Sequence, residues 1–85
     1  MSQLQTAFQA AVIQVQQRSQ RPDNATLLRL YGLYKQASTG DNAVPKPGFS
    51  DMVGRAKWDA WNKLRGMSAE DAMQQYLDAV AALDD

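Results

Sequence analysis

Cysteine and histidine are both missing from this chain of 85 residues. Without cysteine there is no disulfide framework and no thiolate metal site. Without histidine there is no imidazole base near neutral pH, no Ser–His or Cys–His pair and no conventional zinc site. Neither charge sign is in excess, since nine basic and nine acidic residues give a formal net charge of zero. A protein that coats nucleic acid carries a basic surplus, so nucleic acid is not expected as a partner. No apolar run nears the roughly 18–20 residues that span a bilayer, so stable membrane insertion is not expected. The opening Met-Ser-Gln-Leu-Gln lacks a basic segment followed by an apolar core. A cytosolic location without a secretion signal is therefore the expectation.

What is present is a globular composition, 45% hydrophobic and 21% charged, with only five glycines and three prolines. The length suits one domain, residues 1–85. Charge is unevenly spread along it. Every Lys and Arg lies between Arg18 and Arg65, while Glu70, Asp71, Asp78, Asp84 and Asp85 carry the last stretch alone. A neutral protein can thus hold a local cationic site in its middle.

Hydrophobic periodicity predicts four helices and no strand. Leu4, Phe8, Ala11 and Val15 recur on one face of the first, with Ser2 and Gln5 as a capping pair and Ile13 off the stripe. The second begins after Arg21-Pro22, capped by Asp23 or Asn24, and continues to about Ser38. Its apolar set, Leu27, Leu28, Leu30, Tyr31, Leu33, Tyr34 and Ala37, covers more than half the circumference. An outer bundle helix shows a narrower stripe, so this helix is expected to bury two surfaces. Gly32, in its interior, points to close packing or ligand access. Between Thr39 and Ser50, Gly40, Asp41, Asn42, Pro45, Pro47 and Gly48 form a connection long enough to run the length of a bundle. The third helix is expected from about Asp51 to Leu64, with Val53, Ala56, Ala60, Trp61 and Leu64 inward. Ser68 and Asp71 cap the fourth, whose inner face is Ala69, Ala72, Met73, Tyr76, Val80 and Leu83. The Asp84–Asp85 pair is read as a solvated terminus.

Two cationic and aromatic features stand out from this core. Tyr31 and Lys35 are neighbours at i, i+4, with Tyr34 beside them. They could stack on a purine and meet a phosphate, or be half-buried tyrosines with a lysine that snorkels to water. Lys57 falls within the apolar arc of the third helix. It could pair with a carboxylate, snorkel, or wait for an anionic ligand, because an unpaired buried ammonium is costly. Neither a Walker A loop nor G-x-G-x-x-G is present, so phosphate recognition would have to come from side chains.

The run Tyr31-Gly32-Leu33-Tyr34-Lys35-Gln36-Ala37, then Gly40-Asp41 and Pro47-Gly48, resembles the acyl-CoA-binding protein family. So does Gly54-Arg55-Ala56-Lys57-Trp58-Asp59-Ala60-Trp61-Asn62, followed by Glu70-Asp71-Ala72-Met73 and Tyr76. Phe8 and Pro22 are also in register, and the likeness covers essentially the whole chain. It implies an all-α, four-helix up-down-down-up bundle with a long overhand connection between helices 2 and 3. It also implies noncatalytic one-to-one binding of long-chain fatty acyl-CoA esters, with free CoA bound more weakly, no cofactor and no metal. By the resemblance, Tyr31, Lys35 and Lys57 contact the adenine and the 3′-phosphate ribose. Tyr34 and Tyr76 help form the nucleotide and acyl-chain site, and Leu28 completes the ligand-binding set. Relatives often place a phosphate-seeking lysine where this chain has Gln16, with Arg18 nearby. They also often add a basic tail, so the end of the fourth helix is expected to fray.

Two other readings compete. One is a protein-interaction module, a small bundle presenting its wide second-helix face to a partner helix, although Lys35 and Lys57 favour an anionic amphiphile. The other is an enzyme built on Ser38 or Ser68 with a lysine, which no spacing supports. A ligand-sized groove without an exposed heptad seam leads to the expectation of a monomer.

Overall fold

The computed structural model describes residues 2–83 and contains four helices, with no strand among the described residues. They are α1 (Gln3–Gln17), α2 (Asn24–Ser38), α3 (Met52–Asn62) and α4 (Ala69–Ala81). Each starts at an oxygen-bearing cap. The backbone N–H groups of Gln5, Thr26, Gly54 and Asp71 donate to the side chains of Ser2, Asp23, Asp51 and Ser68 at 3.0, 2.8, 2.9 and 3.1 Å. Each cap satisfies a donor that the helix itself leaves unpaired. Asp23 is thus the α2 cap, and Asn24 is already helical. The third helix stops at Asn62, two residues before the expected Leu64. A tight turn follows, bonded from Leu64 N–H to Trp61 O and from Arg65 N–H to Asn62 O. It ends at Gly66, whose φ of 90° favours glycine.

Contacts between helices fix their directions. Lys57 lies over Tyr31 and Lys35 over Trp61, so α2 and α3 run the same way. Gln36 reaches Met67 while Arg29 reaches Gln75, which makes α4 antiparallel to α2. Phe8 meets Tyr76 and Arg18 meets Leu83, so α1 is parallel to α4. The order is therefore up-down-down-up, with α3 packed on α2, α2 on α4, and α4 on α1. The radius of gyration of 13.1 Å exceeds the about 12 Å of a compact chain this long, because the bundle is flattened to 37 × 29 × 16 Å.

The core joins Phe8 and Ala11 of α1, Leu30, Leu33 and Ala37 of α2, and Ala72, Tyr76 and Val80 of α4. The third helix adds only Ala60 and Trp61. Its expected inner face is therefore divided: Val53 is 72% exposed, and Lys57 is exposed beside it. Gly32 gives the physical reason for contact at the other end. A methyl group there would overlap the Ala60 carbonyl, so glycine lets the two backbones touch at that point. Ile13 is exposed, in keeping with its place off the α1 stripe.

The long connection is tied down by side chains rather than by a core of its own. Trp61 Nε1 donates to Gly40 O at 2.8 Å, Arg65 to Asn42 O at 2.7 Å, Trp58 Nε1 to Val44 O at 2.6 Å and Arg55 to Pro47 O at 3.2 Å. Asn42, itself buried, accepts from Val44 N–H and donates to Trp58 O. At the other end of the molecule, Arg18 donates to Leu83 O at 3.2 Å, which anchors the stretch just after α4 where fraying was expected. The Asp84–Asp85 pair lies outside the described residues.

Candidate functional site

Two adjoining cavities lie along the α2–α3 face. The larger, of about 550 Å³, runs between Leu27 and Leu28 of α2 and Met52, Val53 and Ala56 of α3, with Arg21 and Asn24 at its far end. The smaller, of about 270 Å³, is walled by Tyr31, Lys35, Val44, Pro47, Gly54, Trp58 and Trp61. Lys57 lines both. The parallel run of α2 and α3 creates this arrangement, because it puts both helix starts at the apolar end and both aromatic turns at the other.

Cations and rings dominate the smaller cavity. Lys57 Nζ sits 4.7 Å from the Tyr31 ring centroid, and Lys35 Nζ 4.9 Å from that of Trp61. Each ammonium is held against a π-face, an attraction of roughly 0.5–1 kcal/mol at exposed sites. Among the described residues neither lysine forms an ion pair. Lys57 lies on the α3 stripe where its spacing puts it, but it stands exposed at the junction of the cavities, so of its three readings the carboxylate pair is not the one found among the described residues. Lys46 is committed differently, bonded to Asp59 at 3.2 Å and lying 5.3 Å from the Trp58 ring centroid.

The structure brings Tyr31, Lys35, Lys57 and Leu28 to the cavities, but Tyr34 and Tyr76 line neither. Tyr34 is 42% exposed and stacks on Phe8 at 6.0 Å. Tyr76 is 4% exposed and meets the edge of Phe8 at 5.1 Å. Burial, and secondarily the Tyr34 phenol, pushes the Tyr76 hydroxyl above its ordinary pKa. Arg18, raised as a substitute for the cation missing at Gln16, donates to Gln20 O and Leu83 O. Val44, Pro47 and Gly54 were not expected as site residues; Pro47 and Gly54 lie in the runs that carry the family resemblance, and the sequence signal for Val44 was the length of the connection.

No carboxylate, serine or threonine lines either cavity. Ser38 donates to Tyr34 O at 2.7 Å, and Ser68 caps α4. Among the described residues no group of three or more His, Cys, Asp or Glu could hold a metal ion. Cationic and aromatic at one end and apolar at the other, the paired cavities fit an amphiphile with an anionic, ring-bearing head.

A helical bundle with that face is the frame of a small binding protein, and comparison with known proteins agrees. A family profile described as acyl CoA binding protein matches residues 5–80. An acyl-CoA-binding protein homolog of Drosophila melanogaster is 49% identical over 76 residues, covering 89% of this chain and 88% of that one. The crystal structure of Oryza sativa acyl-CoA-binding protein 2 superposes with a TM-score of 0.88 at 38% identity, covering 94% of this chain and 89% of that one. The chain is also 47% identical over 83 residues to enoyl-CoA delta isomerase 2 of Rattus norvegicus, covering 98% of this chain but only 21% of that protein. This chain belongs to the acyl-CoA-binding protein family.

Proposed function

We propose that this protein binds long-chain fatty acyl-CoA esters one to one, without altering them, and buffers and carries them in the cytosol as a monomer. The observation that carries the reading is the sharing of Lys57 between an apolar groove and a cationic, aromatic cavity. The acyl chain takes the groove over Leu27, Leu28 and Ala56. The nucleotide takes the smaller cavity, its base against Tyr31 and its 3′-phosphate between Lys35 and Lys57. Tyr34 approaches the ligand from the exposed flank of α2, and Tyr76 supports it through Phe8. The isomerase likeness extends over a fifth of that enzyme, and no catalytic role is proposed for this chain.

Calorimetric titration of an acyl-CoA series tests the reading. Each added methylene should contribute about 0.8 kcal/mol, so two more carbons should tighten binding roughly tenfold until the groove is full. Free CoA should bind measurably but more weakly, and the thioester should survive prolonged incubation. Affinity indifferent to chain length, or loss of the thioester, would defeat the carrier reading.

A further inference from the structure

Sulfur occurs in this chain only as methionine, at Met1, Met52, Met67 and Met73. A peroxide therefore meets thioethers and no thiol. Met67 and Met73 are partly buried and packed against the core. Met52 is placed differently. It opens α3, directly after the Asp51 cap, in a first turn that gives nothing to the core. There it is 78% exposed, and it walls the larger cavity together with Leu27, Leu28, Val53 and Ala56. The thioether that water reaches most freely is thus one that an acyl chain in the groove would cover.

Its chemistry makes that position consequential. A methionine side chain is flexible, polarizable and apolar, which suits a wall against chains of varied shape. Its sulfoxide is polar and chiral. Leu27, Leu28, Val53 and Ala56 have no side-chain donor to offer the new oxygen. An acyl chain laid over it would strip water from that oxygen and return no hydrogen bond, which is costly.

We propose that Met52 is a modification site at which hydroperoxides weaken the acyl groove. The sulfur lone pair attacks one oxygen of hydrogen peroxide, forming the S–O bond as the O–O bond breaks. Sulfur is oxidised by two electrons and the peroxide is reduced. The departing hydroxide takes the proton of the transferred hydroxyl and leaves as water. Methionine sulfoxide reductase reverses the change. A bound acyl chain shields the sulfur, so the empty protein is the form that responds. That coupling to ligand rests on the acyl-CoA reading, but the preference of peroxide for Met52 over Met67 and Met73 does not.

Peptide mass spectrometry of the full chain under hydrogen peroxide tests the site. Met52 should be oxidised several-fold faster than Met67 or Met73. Excess oleoyl-CoA should slow oxidation at Met52, whereas excess acetyl-CoA, whose chain is too short to cover the groove, should not. Calorimetry should find oleoyl-CoA bound about tenfold more weakly after oxidation, and restored by the reductase. Met52→Leu, which keeps the wall apolar, should bind oleoyl-CoA normally and lose the response to peroxide. Oxidation of Met67 or Met73 as fast as Met52, or a Met52→Leu protein that peroxide still weakens, overturns the proposal. An untreated protein that binds oleoyl-CoA and keeps its affinity once Met52 is oxidised overturns this proposal alone. An untreated protein that fails to bind oleoyl-CoA defeats the carrier reading as well.

Discussion

Lys57 stands in water with its Nζ 4.7 Å from the Tyr31 ring centroid. Its charge is therefore nearly free of cost in the empty protein and available to a ligand phosphate. Lys57→Met keeps the stem that covers Tyr31 and removes only the ammonium. Thermal denaturation should place its melting temperature beside that of the wild type. Calorimetry should find acyl-CoA binding weaker by about 1.5–3 kcal/mol, the worth of a hydrogen bond to a charged group. A destabilised variant that binds normally would return Lys57 to a structural role. Asp41 makes a second test at this scale. Its Oδ1 accepts from Gly66 N–H and from Gln36 Nε2, both at 2.8 Å, joining the end of α2 to the α3–α4 turn. These bonds, the Gly66 backbone first and Gln36 next, hold its carboxyl below the ordinary value of 3.8. A carboxylate whose folded pKa is depressed contributes its stability in full above the unfolded pKa and loses it as pH falls through the folded one. Acid titration should therefore weaken the wild type below about pH 4 more steeply than Asp41→Asn. Parallel curves would remove Asp41 from the acid response.

Gly32 acts at the scale of elements, since it sets how closely α2 approaches α3. A side chain there meets the Ala60 carbonyl and the Trp61 backbone nitrogen, which do not yield as a flexible side chain would. Gly32→Val should force the helices apart, costing about 1–3 kcal/mol in stability as overpacking does. Acyl-CoA affinity should fall as well, because Tyr31 and Lys57, and Lys35 and Trp61, pair across that junction. Gly48→Ala is the control: its methyl group meets nothing within 4 Å. Chemical denaturation and calorimetry on both variants decide the matter, and a Gly32→Val protein of normal stability and affinity would refute the spacing argument.

For the whole molecule, the groove couples ligand to fold. Both cavities lie between α2 and α3, and α3 gives only Ala60 and Trp61 to the buried set. The third helix is thus the part whose attachment a ligand should strengthen most. Acyl-CoA held at a hundred times its dissociation constant should raise unfolding free energy by about 2.7 kcal/mol. Hydrogen exchange should slow first over 52–62 and the connection before it. Protection gained only in α1 and α4 would place the ligand elsewhere.

Much of this was legible in the chain, because local chemistry determines local structure. Ser2, Ser68 and the Asp23-Asn24 pair marked helix starts, since a side-chain oxygen before an apolar stripe satisfies the first free N–H groups, and the structure decided for Asp23. The excess apolar arc of α2 foretold a second buried surface, and Tyr31, Lys35 and Lys57 were singled out before any fold was known. Periodicity, however, reports which residues share a helix face, not what that face meets. Val53 and Lys57 sit on the same stripe as the buried Ala60 and Trp61, yet stand in the open. Only the contact at Gly32, and the parallel run that an overhand connection permits, decided which half of that stripe became core and which became groove. The grip of Arg55, Trp58, Trp61 and Arg65 on carbonyls 14–23 residues away, or 8 in the case of Arg55 to Pro47, was beyond any local pattern. A hydrogen bond needs proximity and direction, and between residues far apart in the chain those are set by the packing of the helices.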